Sequence, residues 1–269
     1  MRLSFSTLGC PELTFPEIIT LAKDLRFDGI EVRGVCDTVE VDRCAAFAPD
    51  KLDETLARLK ETGLSLAIFT AGASIGVPEL AESGMAEAKR AVDLAARAGV
   101  PYVRVMAAPT IMPDPRYDET LTLANYRTLC DCAAAAGVQP LLETNGQLAD
   151  SRAMAALLAK TERENAGALW DVHHPFRFFH ESPEETCRRL APYIRHVHVK
   201  DSVPVGDTVK YRMLGCGNVP VESAVRALAG IGYGGFISLE WVKRWEPELE
   251  EPGVVFYHFK NYMDDLMRQ

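Results

Sequence analysis

From end to end, the chain alternates between short runs suited to strands and longer runs with the apolar spacing of helices. Extended segments are expected at residues 3–7, 29–33, 64–70, 102–106, 139–144, 168–172, 195–200 and 236–241. Helical spacing falls at residues 15–25, 51–62, 78–98, 120–136, 150–160, 183–190, 221–229 and 253–267. Gly63, Gly99, Gly137 and Gly230 each close an apolar-periodic stretch just ahead of a strand, as helix-stopping glycines do. Eight strand-then-helix units within 269 residues fit one α/β domain, a (β/α)₈ TIM barrel spanning residues 1–269. A doubly wound open sheet would need a glycine-rich phosphate turn after an early strand, and Leu8-Gly9-Cys10-Pro11 is not one.

Charge and composition narrow the range of partners. A formal net charge of -9 argues against nucleic acid, because a phosphate backbone calls for a basic face. No apolar run is long enough to cross a bilayer, and the first residues already read as a strand rather than a leader, so no membrane partner and a cytoplasmic location are expected. The cysteines, Cys10, Cys36, Cys44, Cys130, Cys132, Cys187 and Cys216, are scattered and form no C-x-x-C pair, which reads as reduced thiols.

Barrel strands are buried on both faces and should be almost wholly apolar. Several here are not, and the exceptions keep the two-residue period of a strand. Val197 and Val199 oppose His196, His198 and Lys200, while Ile237, Leu239 and Trp241 oppose Phe236, Ser238 and Glu240. Leu142 opposes Glu143, Ile30 and Val32 oppose Glu31 and Arg33, and Val103 and Val105 oppose Arg104. The apolar faces belong under the helices, which sends the polar set into the barrel near the strand C-termini, where barrel active sites lie. Glu143, Asp171, His198 and Glu240 stand on four consecutive strand ends, a composition suited to one divalent metal ion. Mn²⁺, Co²⁺ or Mg²⁺ suits three carboxylates and an imidazole, with Zn²⁺ less favoured for want of a thiolate. The competing arrangement is an ionic network in which the same carboxylates and Glu31 pair with Arg33, Arg104 and Lys200.

The segments Gly29-Ile30-Glu31-Val32-Arg33, Leu142-Glu143-Thr144-Asn145, Trp170-Asp171-Val172-His173-His174, His196-Val197-His198-Val199-Lys200-Asp201 and Ser238-Leu239-Glu240-Trp241 carry a resemblance. In order and spacing they are similar to the xylose isomerase-like barrel superfamily, in particular its sugar isomerase and epimerase branch. That branch includes ketose 3-epimerases, hydroxypyruvate isomerase and inosose dehydratase. The resemblance implies that Glu143, Asp171, His198 and Glu240 hold one divalent cation, that Glu143 and Glu240 form the acid/base pair, and that His174 lies near the substrate. Abasic-site endonucleases share the barrel but need further histidines after strands three and four. Here those strand ends read Thr70-Ala71-Gly72 and Ala107-Ala108-Pro109.

The activity so implied is metal-dependent isomerisation or epimerisation of a small sugar or hydroxy-keto acid through an enediolate. An inosose dehydratase-like lyase and a non-catalytic sugar-binding barrel are the alternatives. Among supporting residues, His174 is expected to donate to a substrate oxygen, and Lys200 either neutralises an enediolate or pairs with a carboxylate. Arg212, in the stretch 210–218, either reaches a substrate carboxylate or phosphate or belongs to a plain surface turn. A Glu31–Arg33 bridge is preferred to a substrate clamp, His196 is read as a supporting residue, and Trp245 as a wall of the mouth. Association into a homo-oligomer stays open.

Overall fold

The structure is a computed structural model that describes residues 1–206 and 208–268. Eight parallel strands close a barrel: β1 (Arg2–Ser6), β2 (Gly29–Val32), β3 (Ser65–Ser74), β4 (Tyr102–Met106), β5 (Gln139–Glu143), β6 (Gly167–Asp171), β7 (Ile194–Val199) and β10 (Phe236–Leu239). The order around the barrel follows the chain, with β10 beside both β7 and β1. An antiparallel hairpin, β8 (Asp201–Val205) and β9 (Thr208–Arg212), rises from the end of β7 outside the barrel sheet. The surrounding helices are α1 (Phe15–Asp24), α2 (Leu52–Thr62), α3 (Pro78–Ala98), α4 (Glu119–Ala135), α5 (Ser151–Thr161), α6 (His173–Phe179), α7 (Pro183–Leu190), α8 (Val221–Gly230) and α9 (Pro252–Arg268).

Local chemistry accounts for most boundaries. Thr14 and Glu17 form a reciprocal capping box at the start of α1. Asp118 and Asp150 accept backbone N–H groups at the first turns of α4 and α5. At the other ends, Gly63 and Gly99 turn left-handed, with φ of 72° and 66°. The expected stop at Gly230 is displaced. Gly230 is the last residue of α8, and Gly232 takes the left-handed turn at φ 70°.

Strand alternation sorts the side chains into two layers. Val197, Val199, Ile237, Leu239, Trp170 and Trp241 pack outward in the large core beneath the helices. Ile68, Leu141, Leu169 and Phe236 form a smaller apolar plug inside the barrel. Two residues further along their strands stand Thr70, Glu143, Asp171 and Ser238, and Glu240 lies two beyond Ser238. The polar site therefore rests on an apolar floor. Register brings Asp171 and Ser238 to either side of His198.

Two elements depart from the expected alternation. α6 begins two residues after β6 although Pro175 and its aromatic neighbours show no helical period. The proline falls in the first turn, where its missing N–H costs nothing. Of the stretch 210–218 expected as a loop after β7, residues 210–212 belong to β9 of the hairpin, while 213–218 form turns and bends. β3 also continues past Thr70, with an irregular register between Thr70 and Ser74. Among the described residues, no helix is long and apolar enough to cross a membrane, and all the cysteines are free thiols.

Candidate metal centre

Glu143, Asp171, His198 and Glu240 meet at the C-terminal mouth of the barrel, each offering one ligand atom within 4.8 Å of the others. All four are buried. His198 Nδ1 lies 3.4 Å from Glu240 Oε1, 3.7 Å from Glu143 Oε1 and 3.9 Å from Asp171 Oδ2. That nitrogen is shielded from solvent and has no hydrogen-bond partner. Burial opposes a charge on the ring, yet Glu31 and Glu240 draw a proton to it and raise its pKa well above the ordinary value. The same negative field favours a cation facing Nδ1. The oxygen and imidazole donors suit the divalent ions expected from the sequence.

Part of the ionic network expected as the alternative is present within the candidate ligand set. Arg104 Nε stands 3.2 Å from Glu143 Oε2, and Lys200 Nζ contacts both Asp171 Oδ2 and Glu240 Oε2. Each glutamate thus gives one oxygen to a fixed cation and turns Oε1 toward His198. Burial alone would raise the Glu143 carboxyl; Arg104 and His198 override it and hold it at about 2. For Asp171, burial is outweighed by His174, Lys200 and His198, which keep it well below the usual carboxylate range. Asp171 and Glu240 in turn raise Lys200, against the effect of burial, so its ammonium stays charged.

Glu31 corrects one expectation. It forms no bridge with Arg33; its Oε2 lies 3.0 Å from His196 Nε2 and 2.9 Å from His198 Nε2 across the barrel. Both inward side chains of β2 had looked like partners, but they stand two residues apart and at different depths. Burial raises the Glu31 carboxyl, whereas the charge on His198 and the two imidazole hydrogen bonds lower it well below normal. An ionised carboxylate only accepts, so His198 Nε2 carries the hydrogen and Nδ1 is left to face the three carboxylates. His196 also approaches Ser238 Oγ, at 2.9 Å, the supporting position expected of it.

The remaining predicted residues divide between the cavity and its surroundings. The site opens into a cavity of about 380 Å³, whose lining includes Arg33, Asn145, His174, Lys200, Tyr211 and Trp245. His174 Nδ1 lies 3.0 Å from Thr144 O. A carbonyl can only accept, so the hydrogen is on Nδ1. Nε2, buried without a hydrogen-bond partner, lies 3.7 Å from Asp171 Oδ2, and burial pushes the ring below its ordinary pKa. His174 thus lines the cavity with Nε2 turned toward Asp171.

Arg212 is not among the cavity-lining residues. Within β9, alternation turns Tyr211 into the cavity, while Arg212 Nη1 bonds Tyr211 O at 3.2 Å. Tyr211 and Asn145 also line the cavity, although nothing in the sequence pattern marked either for it. Asn145 Nδ2 donates to Ala108 O at 3.1 Å, and its buried Oδ1 is left without a partner. His173 turns aside to Ser202 Oγ, 2.9 Å from Nε2.

Asp201, which ends the His-x-His-x-Lys-Asp segment, organises the rim. Oδ1 accepts from Ser202 N at 2.8 Å and Val219 N at 3.0 Å, while Oδ2 accepts from Gly215 N at 3.0 Å and Gly217 N at 2.8 Å. A Cβ on Gly217 would fall 2.1 Å from Asp201 Oδ1, so only glycine admits this wrap.

Known proteins agree with this architecture. Three solved structures are similar over nearly their full lengths. The probable 3-DHS dehydratase AsbF from Bacillus anthracis has a TM-score of 0.80 at 18% identity, over 98% of this chain and 99% of that one. D-psicose 3-epimerase from Clostridium cellulolyticum H10 has a TM-score of 0.77 at 16% identity, over 100% and 99%. The IOLI protein with a binding zinc atom has a TM-score of 0.80 at 17% identity, over 100% and 99%. Identities this low speak for the fold alone. No curated protein sequence matches the chain. The model of the xylose isomerase-like TIM barrel family, however, matches residues 19–254, most of the chain. With the closed parallel barrel, that match places the chain in the xylose isomerase-like TIM barrel family.

Proposed function

We propose that the protein is a divalent-metal-dependent isomerase or epimerase acting on a small sugar or hydroxy-keto substrate through an enediolate. The observation that carries this reading is the pair Glu143 and Glu240, whose Oε1 atoms both face His198 Nδ1 while each Oε2 is held by a cation. Glu143, Asp171, His198 and Glu240 would hold the ion. When bound, such an ion polarises a carbonyl and acidifies the neighbouring C–H bond.

The protein's own groups do the rest. One of the two glutamates removes the proton from carbon and the other returns it, so the face and the carbon of return decide between epimer and aldose–ketose isomer. Lys200 stands charged beside both Asp171 and Glu240, where it offsets negative charge developing on a substrate oxygen. His174 Nε2 and Asn145 Oδ1, both buried and unpartnered, accept from substrate hydroxyls and fix the orientation. Met106, Val242 and Trp245 give the cavity an apolar wall. Family membership, and neighbours that include both an epimerase and a probable dehydratase, support chemistry of this kind.

Lys200 also favours a second reading, a lyase. A charged ammonium next to the proton-abstracting carboxylates can protonate a departing β-hydroxyl. Proton NMR in D₂O with a panel of small ketoses and hydroxy-keto acids, with and without chelator, separates the two. Isomerisation exchanges a carbon-bound hydrogen with solvent and keeps the formula; dehydration yields a ketone one water lighter. If no panel member reacts and chelator changes nothing, both catalytic readings fail.

A further inference from the structure

Arg33, at the C-terminal end of β2, lines the cavity and forms no ion pair among the described residues. Its Nη1 donates to Val39 O, which anchors the guanidinium by one edge, while Nη2 makes no hydrogen bond. Gly72 on β3 leaves room for it. A Cβ there would sit 2.5 Å from Arg33 Nη2, although the Gly72 backbone is not left-handed and has no need of glycine for itself. Burial, together with repulsion from Arg104, lowers the Arg33 guanidinium to about 10, with Arg244 adding to the repulsion. Arg244 is itself held by Cys36 O at 2.6 Å, with its buried Nε unpartnered.

Glu143, Asp171 and Glu240 have nearer counter-charges than Arg33. Glu31, Glu143, Asp171 and Glu240 bring four negative charges into the barrel, which Arg104, Lys200 and one divalent ion, once bound, would offset. Glu87, the carboxylate acting most strongly on Arg33, accepts the Gly72 N–H at 2.6 Å. Glu246 stands in the exposed rim. Arg33 is thus left at the cavity wall without an ion-pair partner among the described residues, the free edge of its guanidinium beside Gly72. A guanidinium anchored at one edge presents the other as a planar fork suited to an oxyanion.

We propose that Arg33 is the anion-recognising residue of this cavity, so that the substrate is a polyol-like molecule carrying a carboxylate or phosphate away from its reacting carbon. This deepens the proposed function and rests on it. Arg33, rather than Arg212, occupies the anion-reading position.

The test uses unreactive probes of like build: D-sorbitol, D-gluconate and D-sorbitol 6-phosphate. Each is titrated calorimetrically into the full-length protein with Mg²⁺ and again after chelation. The chelated arm removes any contribution from probe–metal contact, and direct binding reads the result independently of turnover. At least one anion is expected to bind about tenfold or more tightly than sorbitol, and the tighter of the two identifies the anion. Arg33→Met should abolish that preference while leaving sorbitol affinity unchanged, and Arg33→Lys should keep part of it. Gly72→Ala, which crowds the guanidinium, should weaken the same probe. Anions that bind no more tightly than sorbitol, or a preference that survives Arg33→Met in folded protein, would overturn the assignment. Solvent exchange with neutral sugars alone would then leave the catalytic reading standing; anion selectivity without any exchange would leave Arg33 standing.

Discussion

Glu31 Oε2 lies 2.9 Å from His198 Nε2, on the edge of the imidazole opposite the three carboxylates. The contact spans 167 residues of sequence and fixes which nitrogen of the ring faces the candidate ion. Glu31→Gln keeps the shape but removes the charge and gives the two histidines a weaker acceptor. Metal affinity is expected to fall about 10–100-fold, as for other partners of metal-binding histidines. Titration with Mn²⁺ or Co²⁺, beside a melting curve for fold integrity, reads it; undiminished affinity would count against the orienting role.

For the acid/base pair, Glu143→Gln and Glu240→Gln should each lower solvent-proton exchange by about 10²–10⁴-fold. The substituted amides still fit the cavity, so substrate binding should persist at reduced strength. The measurement is single-turnover exchange in D₂O with saturating substrate. A near-wild-type rate for Glu143→Gln would remove it from the chemistry.

Ion removal should be visible without any substrate. A ligand that binds only the folded chain stabilises it by about 2.7 kcal/mol at a hundredfold excess over Kd. Chelated protein is therefore expected to melt at a lower temperature, with recovery on addition of Mn²⁺, Co²⁺ or Mg²⁺. The recovery should disappear in Asp171→Asn. An identical melting curve with and without added ions would leave the four residues as a structural cluster.

Asp201 makes a prediction about stability. Asp201→Ala leaves the N–H groups of Ser202, Gly215, Gly217 and Val219 without their acceptor. Unmet donors are costly, those of the buried Ser202 and Val219 most of all, and together the loss should be about 3 kcal/mol in urea unfolding. Amide exchange should quicken first in the segment after β9. Asp201→Asn, which keeps an oxygen, should lose less; equal stability of the alanine variant would contradict the wrap.

Strand parity was the legible part of this fold. An inward histidine at 196 and 198, an inward glutamate at 143 and 240, and an apolar reverse face all follow from a two-residue period that the structure keeps. Depth and azimuth were not legible. Glu31 and Arg33 share one inward face, yet barrel closure through β1 and β10 carries β7 opposite Glu31 and leaves Arg33 at the rim. Arg212 and Tyr211 could not be sorted while residues 210–218 read as a loop, because inside and outside have no meaning until a hairpin forms. The hairpin itself depends on Asp201 meeting backbone amides more than a dozen residues downstream, which no local pattern announces. α6 was hidden for a similar reason. His173 is held by Asp171 Oδ1 at its N–H, 2.8 Å away, and that anchoring rather than any periodicity starts the helix.

Because Arg104 stands beside the outer oxygen of Glu143 and Lys200 holds that of Glu240, the cradle is expected to keep its shape whether or not an ion is bound. Loading is expected to require no refolding of the mouth and to be readily reversible. Since neither Arg104 nor Lys200 distinguishes one small divalent ion from another, any ion held there is expected to reflect cellular supply more than selection by the barrel.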